Sequence, residues 1–168
     1  MRKKTYTSQN NYSGITEFKR ILNYFVSYKY RETLINQVSQ KFGYKFNVKN
    51  FYISEKNLKI MSENGNLIGS HSVTHRVMSK LNREEQLSEI KDSFLFLSDL
   101  KINSEKTYCH PYGRFHSFND NTVDLLNKEG IKYSFSVEYR ELDESDLKNS
   151  RQYLPRYDCN QFIHGKAS

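Results

Sequence analysis

From residue 54 onward the sequence predicts an α/β fold, a layer or barrel built on a mostly parallel sheet, with its chemistry at the carboxyl edge of the strands. Three observations predict it. Short apolar or alternating runs at 67–70, 107–110 and 131–137 read as strands, and amphipathic stretches between them read as helices. Polar clusters sit where such strands end: His71 to His75, His110 to Gly113 and Arg156 to Asp158. Of 168 residues 36% are apolar, so about 60 side chains are available for a core and one compact domain is the expectation.

Within the first fifty residues, Phe18, Ile21, Leu22 and Phe25, then Leu34, Ile35 and Val38, recur at helical spacing and predict two helices. Ser54 reads as the N-cap of a short surface helix with Leu58 and Met61 on one face and Gly65 as its stop. Leu67–Ser70 then reads as a brief buried strand that delivers His71. Asn82 with Glu85 three residues on predicts a capped helix, its apolar stripe formed by Leu87, Ile90, Phe94 and Leu97 and its end near Leu100. Thr107–His110 has strand character and stops at the Pro111-Tyr112-Gly113 turn. A helix carrying Val123 and Leu126 ends at Gly130 and leads into the alternating strand Ile131–Val137. An acidic loop from Glu138 to Asp146 precedes Tyr153–Cys159.

Composition excludes several classes. No stretch approaches the roughly 18 apolar residues of a membrane span, and the N-terminus lacks the apolar core of a signal peptide, so a cytoplasmic chain is expected. Cys109 and Cys159 are too far apart in sequence for a metal knuckle, which leaves His and carboxylates as metal ligands, and Cys159 is expected as a small buried side chain. Twenty-six Lys and Arg against nineteen Asp and Glu give +7, but no run of five basic residues occurs. No nucleic-acid partner is expected, and the 13 Tyr and 11 Phe read as core.

His71-Ser72-Val73-Thr74-His75 spaces two imidazoles four residues apart. If the segment turns helically, both lie on one face, as a bidentate metal clamp requires; a pair of satisfied structural histidines is the equal alternative. His110, beside the turn, either faces a groove or is structural, and His116 and His164 are loop residues with less claim. Arg156 and Asp158 alternate to one face of a strand, where a site role and an ion pair at the sheet edge are both open.

Several of these stretches resemble the polysaccharide deacetylases, the NodB-homology group of carbohydrate esterase family four. Asn66–His75 is similar to the family's second motif, H-[ST]-x-x-H, and the segments on either side, 53–65 and 81–86, are similar to its flanks. Tyr108-Cys109-His110-Pro111-Tyr112-Gly113 resembles the third motif in its aromatic-Pro-Tyr-Gly form, and Leu154–Asn160 resembles a late segment of the branches acting on cell-surface polysaccharides. The resemblance runs from about residue 50 to the end, so the chain divides into an N-terminal helical segment, 1–50, and a partial deacetylase domain, 51–168.

The resemblance implies a distorted (β/α) barrel and metal-dependent hydrolysis of N- or O-acetyl groups from an acetylated sugar or polysaccharide, a cell-surface polymer or its precursor. His71 and His75 match the two metal-binding histidines, with zinc as the expected divalent ion. The backbone N–H of Tyr112 matches the oxyanion donor, and the Pro111-Tyr112 turn one wall of the substrate groove. Two departures stand beside it. The family's T-F-D-D-G motif, which supplies the base and third ligand, is missing; the first aspartate is Asp92, read as a solvated helix position. Cys109 stands where the third motif usually has Arg. The chain therefore reads as a barrel incomplete at its N-terminal side, with a sheet edge open to self-association and little activity by itself. The alternative is an inactive fragment or pseudoenzyme that acts at most as a carbohydrate-binding module.

Overall fold

The helical spacing of the first fifty residues is realised as α1 (Ser13–Arg20), a π-helical turn at Ile21–Phe25 closed by Val26 N–H on Ile21 O at 2.9 Å, and α2 (Tyr28–Lys41). The computed structural model describes Tyr6, residues 12–45, Asn47, Lys49, 51–102 and 105–163, and separates Met1–Ser54 from Glu55–Ser168 as two units. His164 lies outside the described residues. In the first unit polar contacts converge on Asn23, whose side-chain amide donates to Tyr6 OH at 2.7 Å while its backbone carbonyl accepts Tyr28 OH at 3.0 Å. Phe18, Ile21, Phe25, Leu34 and Val38 remain exposed.

In the second unit α3 (Glu55–Glu63) buries no residue, as expected of a surface helix, and ends where Gly65 takes φ +83°. Asn66 N–H then reaches back to Met61 O at 3.1 Å, a left-handed C-terminal stop. The helix α4 (Arg83–Asp99) begins with the expected capping box, Glu85 N–H on Asn82 Oδ1 and Asn82 N–H on Glu85 Oε2, both 2.9 Å. Its buried face differs from the expected stripe. Gln86, Glu89 and Ser93 are buried with Ile90 and Leu97, whereas Leu87 and Phe94 are half-buried. Polar side chains can occupy that face because each finds partners there: Gln86 Nε2 donates to Leu81 O at 3.1 Å, and its Oε1 accepts Thr122 Oγ1 at 2.6 Å from the neighbouring helix. Asp92 is exposed and accepts Ser88 Oγ, as a solvated helix position should.

The sheet is a parallel pair, β1 (Thr107–Cys109) and β2 (Tyr133–Phe135), in register Thr107 with Tyr133 and Cys109 with Phe135. Single parallel bridges extend it on both sides, Ser70 to Tyr108 and Phe135 to Leu154. Four extended segments thus run side by side in chain order. The expected strand at 67–70 is reduced to that bridge, with Leu67 exposed, and the expected strand 131–137 contracts to three residues. Ser134 and Ser136 turn inward on β2 and its continuation because their hydroxyls have carbonyl or imidazole partners inside. The expected strand around Arg156 and Asp158 is irregular chain beyond the Leu154 bridge, and Cys159 is exposed rather than buried. Between β1 and β2, α5 (Asp120–Lys128) lies against α4 and buries Leu125 and Leu126.

The acidic stretch expected as a loop contains a further helix, α6 (Glu144–Asn149), capped by Asp143. Arg140 makes a bidentate pair with buried Asp146, both bonds 2.6 Å, and Asp143 N–H donates to the same carboxylate at 3.0 Å. The Arg140 guanidinium, and then the Asp143 backbone, hold the Asp146 carboxyl at about 2, below its ordinary value. A lowered carboxyl pKa adds stability above its unfolded value, about 3.9, and that stability is lost as the pH falls through the folded value. The melting temperature of Asp146→Asn should therefore lie below that of the native chain at neutral pH, and thermal scans should show the gap closing between about pH 4 and about pH 2.

Candidate functional site

His71 follows the outermost extended segment, which is fixed by Ser70 N–H on Thr107 O at 2.9 Å and Cys109 N–H on Ser70 O at 2.8 Å. Its Nδ1 lies 2.8 Å from Cys109 O. A carbonyl oxygen only accepts, so Nδ1 carries the proton and Nε2 presents its lone pair outward. Burial lowers the His71 pKa, the Cys109 carbonyl opposes this, and the Arg156 charge lowers it further, all told favouring the neutral ring.

The 71–75 segment is a turn, not the helical turn the spacing invited. Ser72 and His75 take φ +65° and +52°, and His75 N–H caps back on Ser72 Oγ at 3.1 Å. The turn nevertheless brings the rings together: the His71 and His75 centroids are 4.8 Å apart at 70°, and the His75 and Tyr112 centroids 4.7 Å apart at 61°. Between the two histidines, Val73 N–H and Thr74 N–H donate to Glu89 Oε2 at 2.9 and 2.8 Å, and Thr74 Oγ1 donates to Glu89 Oε1. Glu89 was not among the residues the sequence singled out. Its signal is the spacing of Gln86, Glu89 and Ser93, which lines polar groups along one helix face opposite the histidine segment.

Tyr112 projects from the β1 turn at φ +63°, followed by Gly113 at φ +64°. Glycine is required at 113: a Cβ there would lie 2.9 Å from Val137 N and run into that valine's side chain. The expected groove positions of His110 and Pro111 are corrected by the structure, because both side chains are fully buried. His110 stacks on Phe118 at 3.9 Å and its Nε2 donates to Gln152 O at 2.7 Å; burial pushes its pKa down to about 4. Its neighbours make it a core residue. His116 is half-buried, and its carbonyl accepts Ser79 Oγ at 2.7 Å.

Arg156 lines an open cavity of about 390 Å³ with Ser70, His71, Tyr108, Cys109 and Phe135. Its Nε is buried and has no hydrogen-bond partner among the described residues. Burial raises the Cys109 thiol, which keeps it uncharged beside that guanidinium. A second cavity, about 480 Å³, opens on the α4 side and shares Gly69, Ser70 and His71. Asp158 lines neither; its carbonyl accepts Gln161 N–H at 2.9 Å.

A divalent ion of the kind expected needs neutral imidazole donors with their second nitrogen held, and His71 meets that requirement through Cys109 O. His75 stands in ring contact with it. Among the described residues no group of three or more His, Cys, Asp and Glu that could hold a metal is present. The donor set therefore fits two ligand positions of such a site and does not complete it. Among the described residues no helix is long and apolar enough to cross a membrane.

Residues 15–134 match the family model described as polysaccharide deacetylase, a match that reaches well into the N-terminal helices. Over 114 residues the chain is 32% identical to the poly-beta-1,6-N-acetyl-D-glucosamine N-deacetylases of Staphylococcus aureus strains MRSA252 and MW2, covering 62% of this chain and 37% of each relative. It thus spans little more than a third of their length. In fold it is similar to the solved Streptococcus pyogenes deacetylase PplD in complex with acetate, with a TM-score of 0.55 and 22% identity over 62% of this chain and 44% of that one. With most of its residues matched by the family model and the paired histidines at the carboxyl edge of a parallel sheet, this chain belongs to the polysaccharide deacetylase family.

Proposed function

We propose that the chain carries the two-imidazole part of a metal-dependent deacetylase site, acting on N- or O-acetyl groups of a cell-surface polysaccharide or its precursor. The four parallel segments belong, on this reading, to a distorted (β/α) barrel that is incomplete as this chain stands. The observation that carries the proposal is the contact of His71, His75 and Tyr112 at the sheet's carboxyl edge, with the His71 tautomer set by Cys109 O. The name of the staphylococcal relatives supports an N-acetylglucosamine polymer as the substrate class.

His71 and His75 would hold the ion, with zinc the expected metal. Such an ion polarises an acetyl carbonyl and makes water more acidic. Tyr112 offers its backbone N–H to the developing oxyanion and its ring to the apolar face of a sugar. Arg156, which shares a cavity with His71 and Cys109, supplies the guanidinium absent from position 109 and steers a carboxylate, the acetate product included. No role is assigned to Asp158, His110 or Pro111.

A second reading, sugar binding without turnover, is favoured by the ligand set of the described residues, which brings two imidazoles together and shows no group of three metal-binding side chains. Acetate release and metal content distinguish the two. His71→Ala should abolish tight zinc uptake by equilibrium dialysis, and unchanged stoichiometry would leave the histidines structural. The 168-residue chain assayed alone on acetylated glucosamine oligomers should release little acetate, because a missing base is worth roughly 10²- to 10⁴-fold in rate. Turnover at ordinary enzyme rates would instead require a base among the residues present. An incomplete barrel should also self-associate in light scattering after size exclusion; a monodisperse monomer counts against incompleteness.

A further inference from the structure

We infer that Glu89 is the positioning residue of the His71–His75 pair, so that α4, and not the 71–75 segment itself, sets the separation of the two imidazoles. The inference deepens the metal-site reading above and rests on it. Glu89 is 7% exposed. A carboxylate so buried is costly unless its oxygens are fully engaged, and the donors that engage these are Val73 N–H, Thr74 N–H and the Thr74 hydroxyl, all from the turn between the two histidines. Glu89 contributes an acceptor at the middle of the turn and touches neither ring in its hydrogen bonds.

The turn needs such an anchor. Ser72 and His75 both occupy left-handed backbone conformations that side-chain-bearing residues rarely adopt, and such conformations persist only where surrounding structure over-determines them. Released from Glu89, the segment would relax toward ordinary φ values and His75 would swing away from His71. The anchor is itself fixed. Asn82 caps α4, Gln86 bonds Thr122 on α5, and Ser93 Oγ meets Ser70 Oγ at 2.5 Å, one residue before His71. One helix thus grips the histidine segment at two points, at Ser70 ahead of His71 and at Val73-Thr74 ahead of His75.

The test compares Glu89→Leu, Glu89→Gln and Thr74→Val in the full chain with two readouts. The first is NMR of the metal-free protein, following ring-to-ring cross-peaks among His71, His75 and Tyr112; the second is titration with zinc alone. Glu89→Leu should lose the His75 cross-peaks and weaken zinc binding about 10- to 100-fold, the range for supporting partners of metal ligands. Glu89→Gln keeps a carbonyl acceptor for both N–H groups and should retain cross-peaks and affinity near the native values. Thr74→Val removes only the hydroxyl arm and should show a smaller loss of zinc affinity with cross-peaks preserved. A folded Glu89→Leu with native cross-peaks and native affinity would overturn the assignment, as would a Glu89→Gln variant that falls as far as Glu89→Leu. If Glu89→Leu does not fold, Glu89→Gln and Thr74→Val decide: native affinity in Thr74→Val, or lost cross-peaks in Glu89→Gln, refutes it. A native chain that takes up no zinc removes the metal reading alone, and the cross-peaks still decide the part played by Glu89.

Discussion

Gln86, Glu89 and Ser93 put three polar side chains on the buried face of one helix, and that face is compatible with burial because other segments complete its hydrogen bonds. α5 answers Gln86, the histidine turn answers Glu89, and the outermost extended segment answers Ser93. Ile90 and Leu97 supply the apolar part of the same face. Directional bonds fix the helix's rotation and its position along the sheet, and the loop after Ser70 inherits that precision.

The carboxyl edge then sorts residues by what surrounds them. His71 and His110 follow neighbouring extended segments and are both lowered in pKa chiefly by burial, but their environments part them. His110 has Phe118 across its face and Gln152 O on its Nε2, and its Nδ1 is buried without a hydrogen-bond partner among the described residues, so the whole ring is enclosed in the core. His71 spends only its Nδ1, on Cys109 O, and stands against a second imidazole. Arg156 adds a positive charge to the same cavity from the far side of β2, beyond the Leu154 bridge. The Cys109 thiol, the His71 imidazole and the Arg156 guanidinium therefore meet in one cavity, where the guanidinium supplies a positive charge suited to a carboxylate.

Local signals carried furthest where a single segment satisfies itself. The Asn82–Glu85 box, the Gly65 stop and the Pro111-Tyr112-Gly113 turn depend on residues within a few positions of one another, and each stands where its residues indicate. Where a partner comes from elsewhere in the chain, the local pattern misled. Gln86 and Glu89 interrupt the apolar stripe that α4 offers, yet Thr122 on α5 and the turn at Val73-Thr74 allow both to be buried. Leu67 and Ile68 have strand composition, yet one bridge at Ser70 is all the regular pairing that segment makes.

The amino-acid sequence by itself determined the order of helices and extended segments from α3 to β2, the parallel character of the sheet, the family, and the two histidines with Tyr112 as the group at its edge. Each of these follows from short-range periodicity or from a contiguous motif. Tertiary structure alone decided that His110 and Pro111 face inward, that Arg156 joins His71 across two intervening segments, and that Glu89 holds the turn from sixteen residues away. Burial and hydrogen bonding are properties of a residue's neighbours in space, and the residues that close these contacts are distant in the chain.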